Sequence, residues 1–452
     1  MKRLLVQTQL SNYDTNGKFI LECDSGWQMV MGRVREMLKL NPDLQVDVMG
    51  PRLYDTYVEN ASQVITMPKD VNPDMDWHYL YAYTDPTKES RGRLNYIQHD
   101  IIPNALATRY DFNFDKLAKV IGLHNHKDHP HLKYDAVLIN DPMHLRNFKA
   151  LFMLKAGYRP RFFVHSHFVD VPSCPKFPTE ASLWLGQCEA AIKADFNFWQ
   201  CESAMNEFFR EMAGQYLTHV VSAVREKSLP WDDGYSREEI TSPINEKNLR
   251  FTPEEWAAKT QGKTVLFLPN RIGGKGRSSD YTNCGKFMFE LLPQLRQYRQ
   301  DFVVVCGNPS QKIFNHELEE WCGKDGYVSL VPDAFNRDEF KFIARRSHIA
   351  LGLYDQDTYG GTVARECVEL GCMPLWLDVN EYSSIAREAK RYPYVVKPDW
   401  SDFVQVACRL MDHVRTGQKH VWLANLQRVV RERCSYEATT PQAMERMGLL
   451  AG

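Results

Sequence analysis

Short apolar runs alternate with longer stretches of helical period along most of this chain. In the first half, residues 4–7 and 46–50 read as strands, and residues 28–40 as the amphipathic helix between them, which closes a β-α-β unit. Two further strands are predicted over 134–141 and 161–167, separated by a helix from about 144 to 156. Residues 194–203 predict a short strand followed by a helix that starts near Ser203. The second half repeats the rhythm, with strand candidates at 264–268, 302–307, 328–331, 349–353 and 374–377 and helices between them. Such alternation implies parallel sheets covered by helices on both faces.

Between the two halves, from about 236 to 262, the chain turns polar and acidic. The expected division is therefore a Rossmann-like domain over 1–240, a linker over 241–262, and a second Rossmann-like domain over 263–421. The charged, helical stretch 422–452, interrupted by Pro441, is expected to pack across the surface. Two domains also suit the 452-residue length, because a single hydrophobic core stops growing well below it.

Composition narrows the picture little. Hydrophobic residues make up 44% and charged residues 25%, as in ordinary globular proteins. A formal charge of −2, from 55 Lys+Arg against 57 Asp+Glu, excludes a globally basic nucleic-acid coat and leaves room for a local basic cleft. The 11 cysteines are scattered singly with no C-x-x-C pair, which points to reduced thiols rather than a disulfide framework or zinc site. The N-terminal residues move straight into a strand without an apolar h-region, and no apolar run reaches the ~20 residues needed to span a bilayer. A cytoplasmic protein that is not an integral membrane protein is the expectation.

The most informative segment runs over 357–376. It follows the strand at 349–353, supplies the glycine turn Gly360-Gly361-Thr362, opens a helix, and ends at Gly371 before the next strand. Glycines let the backbone approach a ligand, and a helix N-terminus offers N–H groups and a positive dipole end to a phosphate. Glu366, just inside the helix, is placed to hold sugar hydroxyls. A second loop, Pro269-Asn270-Arg271-Ile272-Gly273-Gly274-Lys275-Gly276, follows the first strand of the second half. A diphosphate leaving group needs cations where its charge accumulates, and Arg271 and Lys275 supply them. Taken alone, that loop also reads as a surface turn.

In the first half, strands end in polar residues. Ligands of open α/β sheets bind beyond the carboxyl ends of the strands, so Asn140, Asp141, His165 and His167 are expected to face one cleft. His165 and His167 stand at i, i+2 on one strand and point the same way, so the sequence does not separate them. The cluster His124, His126, Asp128, His129 and His131 sits among Asn, Lys and Pro and reads as a solvated loop rather than a metal site. His99 and Asp100, with Arg91 and Arg93 upstream, are candidates for an acceptor site but read rather as an ordinary amphipathic helix with a basic lead. No metal site is expected. There is no G-x-S-x-G elbow, no G-x-x-x-x-G-K-[ST] loop, and no G-x-G-x-x-G fingerprint after a strand.

With these residues in view, the chain resembles the GT-B superfamily of nucleotide-sugar glycosyltransferases, particularly its retaining branch. Arg271, Lys275 and Gly276 match that family's Arg…Lys-Gly element, and Glu366, Gly371 and Pro374 its Glu-Ala-x-x-x-Gly-x-Pro-Val block. The resemblance implies two Rossmann-like domains with a cleft between them and a nucleotide diphosphate sugar as donor substrate, with no cofactor. It further implies that Arg271 and Lys275 hold the diphosphate, that Gly360, Gly361 and Thr362 cradle it, and that Glu366 binds the ribose. A strand-end histidine, here His165 or His167, would contact the sugar, and Gly26, in the Asp24-Ser25-Gly26-Trp27 segment, would stand for the family's first glycine loop.

Three departures stand out. The family places its sugar-binding acid eight residues before the glutamate, where this chain has Thr358, with Asp357 one position further away. Arg271 and Lys275 are one residue closer than usual, and Cys367 replaces an alanine. The implied activity is metal-independent glycosyl transfer with retention to an acceptor hydroxyl. Residues 369–376 resemble a stretch of bacteriophage DNA α-glucosyltransferases, which makes a hydroxymethylated base of DNA one expected acceptor. A groove for it would draw on Lys88, Arg91, Arg93, Arg146, Lys149, Arg159 and Arg161, which otherwise form a scattered solvated surface. Surface polysaccharide or glycolipid synthesis, a nucleotide-sugar epimerase and a non-catalytic nucleotide-binding scaffold are the other readings.

Overall fold

A computed structural model describes residues 2–8, 25–51, 94–99, 133–167, 181–269, 286–306, 327–328, 335–353, 361–417 and 420–451, together with positions 115, 118, 121, 123, 169 and 171. The chain divides into two compact units. One comprises Met1–Cys174, Pro178–Asp232 and Thr439–Gly452, and the other Pro175–Phe177 and Asp233–Ala438.

The first unit runs β1 (Lys2–Gln7), α1 (Ser25–Leu40), β2 (Leu44–Pro51), β3 (Leu94–His99), β4 (Ala136–Ile139), α2 (Leu145–Leu151), β5 (Arg161–Ser166), α3 (Ala181–Lys193), β6 (Phe196–Trp199), α4 (Glu202–Ala213), α5 (Thr218–Glu226) and β7 (Ser228–Pro230). Its seven strands are all parallel, in the order β3-β2-β1-β4-β5-β6-β7. Strand alternation divides the core cleanly. Leu4, Val6, Val46, Val48, Leu138 and Phe163 pack on the face covered by α1, while Leu5, Met49, Val137, Ile139 and Phe162 pack on the opposite face with Phe148 of α2. Residues 94–99 form an edge strand beside β2, with Val46 opposite Leu94 and Pro51 opposite His99, so His99 ends a strand where a helix is expected. An apolar face for helix is replaced here by the hydrogen-bonding edge that β2 would otherwise leave unpaired.

The second unit contains α6 (Arg237–Thr241), α7 (Pro253–Thr260), β8 (Thr264–Leu268), α8 (Leu292–Tyr298), β9 (Phe302–Cys306), β10 (Tyr327–Val328), α9 (Arg337–Arg346), β11 (Ile349–Gly352), α10 (Thr362–Glu369), β12 (Met373–Leu377), α11 (Asn380–Glu388), β13 (Val395–Val396), α12 (Phe403–Arg415), α13 (His420–Cys434) and the start of α14 (Tyr436–Met447). Its six parallel strands follow the order β10-β9-β8-β11-β12-β13. Both sheets thus have the doubly wound 3-2-1-4-5-6 order, and each reverses direction at one place: between β1 and β4 in the first unit, and between β8 and β11 in the second. The expected α/β class with two Rossmann-like sheets is what the chain adopts.

The junction differs from the expected linker. The change of unit falls between Asp232 and Asp233, and residues 241–262 belong to the second unit. Their polar, acidic character serves helix starts: Thr252 caps α7 in a capping box with Glu255, and Trp256 is buried beneath it. The C-terminal stretch contributes to both cores. Leu426, Val429 and Val430 of α13 join that of the second unit, and Ala443 and Met444 of α14 that of the first. Pro441 lies inside α14, and the break comes earlier, at Ser435, which pairs with Tyr235. Among the described residues no helix is long and apolar enough to cross a membrane, and the cysteines Cys188, Cys201, Cys306, Cys367, Cys372, Cys408 and Cys434 are free thiols.

Candidate functional site

The chain leaves β8 at Leu268 and β11 at Gly352, on neighbouring parallel strands with Phe267 opposite Ala350. The two strand ends lie at the reversal point where open α/β sheets gather ligands, and in the sequence the two segments singled out above follow these two strands. Arg271, Lys275, Asp357 and Gly360 lie outside the described residues, as do the His124 to His131 cluster and Lys88, Arg91 and Arg93. Gly361, Thr362 and Glu366 are described.

Gly361 is the N-cap of α10, in extended conformation (φ −86°, ψ 108°), and among the described residues no side chain caps the helix. Thr362, which might have served, turns its hydroxyl to the Asp233 carbonyl at 3.1 Å. A helix start with no capping side chain among the described residues is the kind of N-terminus whose N–H groups and dipole suit an anion. Gly361 is itself pinned by Tyr382 of α11, whose hydroxyl accepts from its N–H and donates to its C=O, both at 3.2 Å. Tyr382→Phe should leave these two buried backbone groups unsatisfied, at about 1–3 kcal/mol. A thermal melt should show the loss; an unchanged melt would mean that the hydroxyl does not hold Gly361.

Gly352 lets α10 come this close to the sheet. A Cβ there would stand 3.2 Å from Ala364 Cβ and 3.3 Å from Trp376 Cβ, tighter than ordinary van der Waals contact. Cys367 is buried in this core, and burial pushes its thiol well up, so it is an inert packing residue.

Glu366 lies one turn into α10 and is 5% exposed. Arg337, at the start of α9, grips it with both ends of its fork: Nη2 to Oε1 at 2.5 Å and Nη1 to Oε2 at 3.1 Å. The remaining Nε of Arg337 donates to Glu239 at 2.8 Å. Burial pushes the Glu366 carboxyl up, and the bonded guanidinium pulls it back down. Burial opposes the charge on Arg337 as well, but Glu366 and Glu239 outweigh it and hold the guanidinium ionised. Three residues on, Glu369 takes Tyr235 at 3.1 Å, Arg237 at 3.3 Å and Arg431 at 2.8 Å. Both carboxylates of α10 are thus held from outside the helix.

In the first unit the structure separates the two histidines. His165 is fully buried: its Nε2 meets the Trp231 carbonyl at 3.2 Å, and its ring stands edge-on to Trp231 at 6.1 Å. The same carbonyl accepts from Arg33 of α1 at 2.6 Å, whose guanidinium lies 4.3 Å over the Trp231 ring. His165 therefore tethers β5 to the chain beyond β7. His167 stands one residue past the end of β5 and is half-buried. Asn140 and Asp141, expected to face a cleft, are instead 5% and 3% exposed. Their N–H groups donate to Gln7 Oε1, and Asp141 accepts from Met143 N as the cap of the following 3-10 turn. They tie β4 to β1. Gly26, half-buried, lies in the first turn of α1 rather than in a loop ahead of it.

Sequence reasoning missed Arg337 and Tyr382. The run Asn336-Arg337-Asp338-Glu339 marks a helix start, and Asn336 and Glu339 do form a capping box. Nothing local announces that Arg337 reaches a carboxylate 29 residues away. Among the described residues no three His, Cys, Asp or Glu side chains converge as a cation site would require.

No family model matches the chain, and no curated protein matches it in sequence. Solved structures do. HepE of Anabaena in complex with UDP superposes with a TM-score of 0.62 at 13% identity over 100% of both chains. Sucrose-phosphate synthase of Thermosynechococcus elongatus gives 0.62 at 11% identity over 98% of each, and a glycosyltransferase of Rickettsia africae gives 0.64 at 10% identity over 99% of this chain and 98% of that one. Two doubly wound parallel sheets, matched along their whole length by these proteins, give this chain the GT-B fold.

Proposed function

We propose that this protein is a glycosyltransferase that moves a sugar from a nucleoside diphosphate sugar to an acceptor hydroxyl, without a metal and with retention at the anomeric carbon. The observation that carries the reading is the uncapped start of α10 at the β8/β11 reversal, with the buried carboxylate of Glu366 one turn further on. A diphosphate at that helix start and a ribose against Glu366 satisfy both groups with one ligand. In the transfer, the bond from the anomeric carbon to the diphosphate oxygen breaks with its electron pair going to that oxygen, the acceptor oxygen bonds to the same face of that carbon, and the acceptor's proton passes to the departing diphosphate. Arg271, Lys275 and the α10 dipole stabilise the charge that gathers there. Of the two strand-end histidines, we assign the sugar contact to His167, since His165 is committed to the Trp231 carbonyl.

The acceptor we favour is a hydroxyl of a surface polysaccharide or glycolipid, ahead of a hydroxymethylated base in DNA. Three of the cations that a DNA groove would need are engaged within their own unit: Lys149 with the Lys193 carbonyl, Arg159 with Asp195, and Arg161 with the Arg446 and Met447 carbonyls.

The test is incubation with a panel of nucleotide sugars beginning with UDP-glucose, the ligand of one HepE structure, while release of nucleoside diphosphate is followed. Release that rises on addition of an acceptor is expected. Thermal stabilisation with no release from any donor would instead identify a non-catalytic scaffold, and donor consumed without an acceptor an epimerase. Mass spectrometry of hydroxymethylated DNA after the same incubation settles that acceptor: a hexose-sized gain would overturn our order.

A further inference from the structure

We propose that the end of α2 and the π-helical turn that follows it, Phe152–Ala156, dock the first unit on an anionic lipid surface, with Met153 and Leu154 entering the headgroup layer. This inference stands apart from the transfer reading above.

Among the described residues, the large apolar side chains that stand exposed are scattered singly along the chain, except for Met153 and Leu154, at 71% and 64% exposure. The helix geometry puts them there. Phe148, Leu151, Phe152 and Ala156 are buried against the sheet. A π-helical turn holds one residue more than an α-helical one, so two consecutive side chains fall on its outer side together. Gly157, in the left-handed conformation (φ 68°), then ends the helix. Because α2 carries the chain from the carboxyl end of β4 to the amino end of β5, the pair sits away from the strand ends that gather ligands. Docking through it leaves those ends open.

Charge decides the partner. Asp115 offsets Lys155 at 2.5 Å, Asp195 offsets Arg159 at 2.7 Å, and Glu189 offsets Lys193 at 2.5 Å. Three further cations have neutral partners. Lys133 lies 5.5 Å over the Tyr158 ring, Lys149 donates to the Lys193 carbonyl, and Arg161 donates to the Arg446 and Met447 carbonyls. Their N–H groups are spent, which counts against direct phosphate contacts in a nucleic-acid groove, but their charge remains. Arg146, exposed and two turns ahead of Met153 on the same stripe of the helix, adds another. Burial first, and then Arg159 and Lys193, depress the Lys149 ammonium below its ordinary range, with Asp195 opposing. Like charges therefore crowd here, and a facing layer of anions relieves them. Two side chains are too little for a stable protein interface. A short apolar insertion within a basic field is what peripheral attachment to an anionic bilayer takes, since the surface potential acts on net charge within a Debye length.

The experiment is co-sedimentation of the full chain with vesicles of phosphatidylcholine alone and of phosphatidylcholine mixed equally with phosphatidylglycerol, at low and at high salt. The wild type should pellet with the mixed vesicles, stay in solution with phosphatidylcholine, and be released by salt. The double substitution M153S/L154S should weaken binding about ten-fold or more, the scale of two partly buried apolar side chains. It should keep the wild-type melting temperature, because both side chains are exposed. K133E/R146E, also at exposed positions, should weaken binding and flatten its salt dependence. No pelleting of the wild type with mixed vesicles, or equal pelleting of M153S/L154S, would overturn the proposal. So would a dimer in solution that M153S/L154S abolishes while vesicle binding is unchanged, which would give the pair to a second copy of this chain.

Discussion

Gly234→Ala is expected to destabilise the second unit by about 4 kcal/mol, near the upper end of single substitutions. An added Cβ at position 234 would lie 1.6 Å from the Cys434 carbonyl oxygen and 2.7 Å from its carbon. Both are backbone atoms, so no rotamer relieves the overlap. Space, not torsion, demands glycine here, because Gly234 does not adopt the left-handed conformation. Relief requires the 233–235 segment to move off α13. That movement breaks the hydrogen bonds Tyr235 N to Cys434 O (3.1 Å) and Tyr436 N to Tyr235 O (3.0 Å). Buried backbone groups left unsatisfied cost about 1–3 kcal/mol each. The same segment holds Thr362 and Arg365 of α10 through the Asp233 carbonyl, and Glu369 through Tyr235. The site should therefore loosen with the fold. Urea unfolding would register the effect as a lower midpoint at unchanged slope. A midpoint within about 0.2 M of wild type would show that the segment does not pack as described.

The second large effect follows from the proposed glycosyl transfer and the roles proposed for Arg271 and Glu366. Arg271→Ala should lower kcat by about 10² to 10³, the usual cost of removing one preorganised donor from developing negative charge. Glu366→Ala should act differently. Ribose contacts are equal in the ground and transition states, so KM for the donor should rise about ten-fold or more while kcat changes little. Steady-state kinetics with the donor identified in the panel separate the two. A kcat within three-fold of wild type for Arg271→Ala would sink the assignment of that residue to the leaving group, and a fall in kcat alone for Glu366→Ala would remove it from the ribose.

Much of the fold was legible because its signals are local. The run 302–306 is apolar at every position, and all five residues are buried in β9. The glycine turn likewise places the start of α10. Short parallel edge strands escaped: β7 is three residues long and β13 two, too short for any periodicity to register. The linker misled because acidic residues at helix starts have the same composition as a solvated connection. His165 and His167 were inseparable because alternation fixes only the side of the sheet a residue takes. How far along the strand the surroundings close over it is decided by Trp231 and Arg33, residues distant in the chain.

By itself, then, the sequence determined the alternation of strand and helix, the helix start at Gly361 and the carboxylate at Glu366, because hydrophobic period, glycine and capping chemistry act within a few residues. Only the tertiary structure decided that β8 and β11 lie side by side at the reversal point, that Gly234 must lack a side chain, and that Arg337 closes on Glu366. Those outcomes depend on chain segments brought together across tens to hundreds of residues, and no local pattern encodes the geometry of a contact between them.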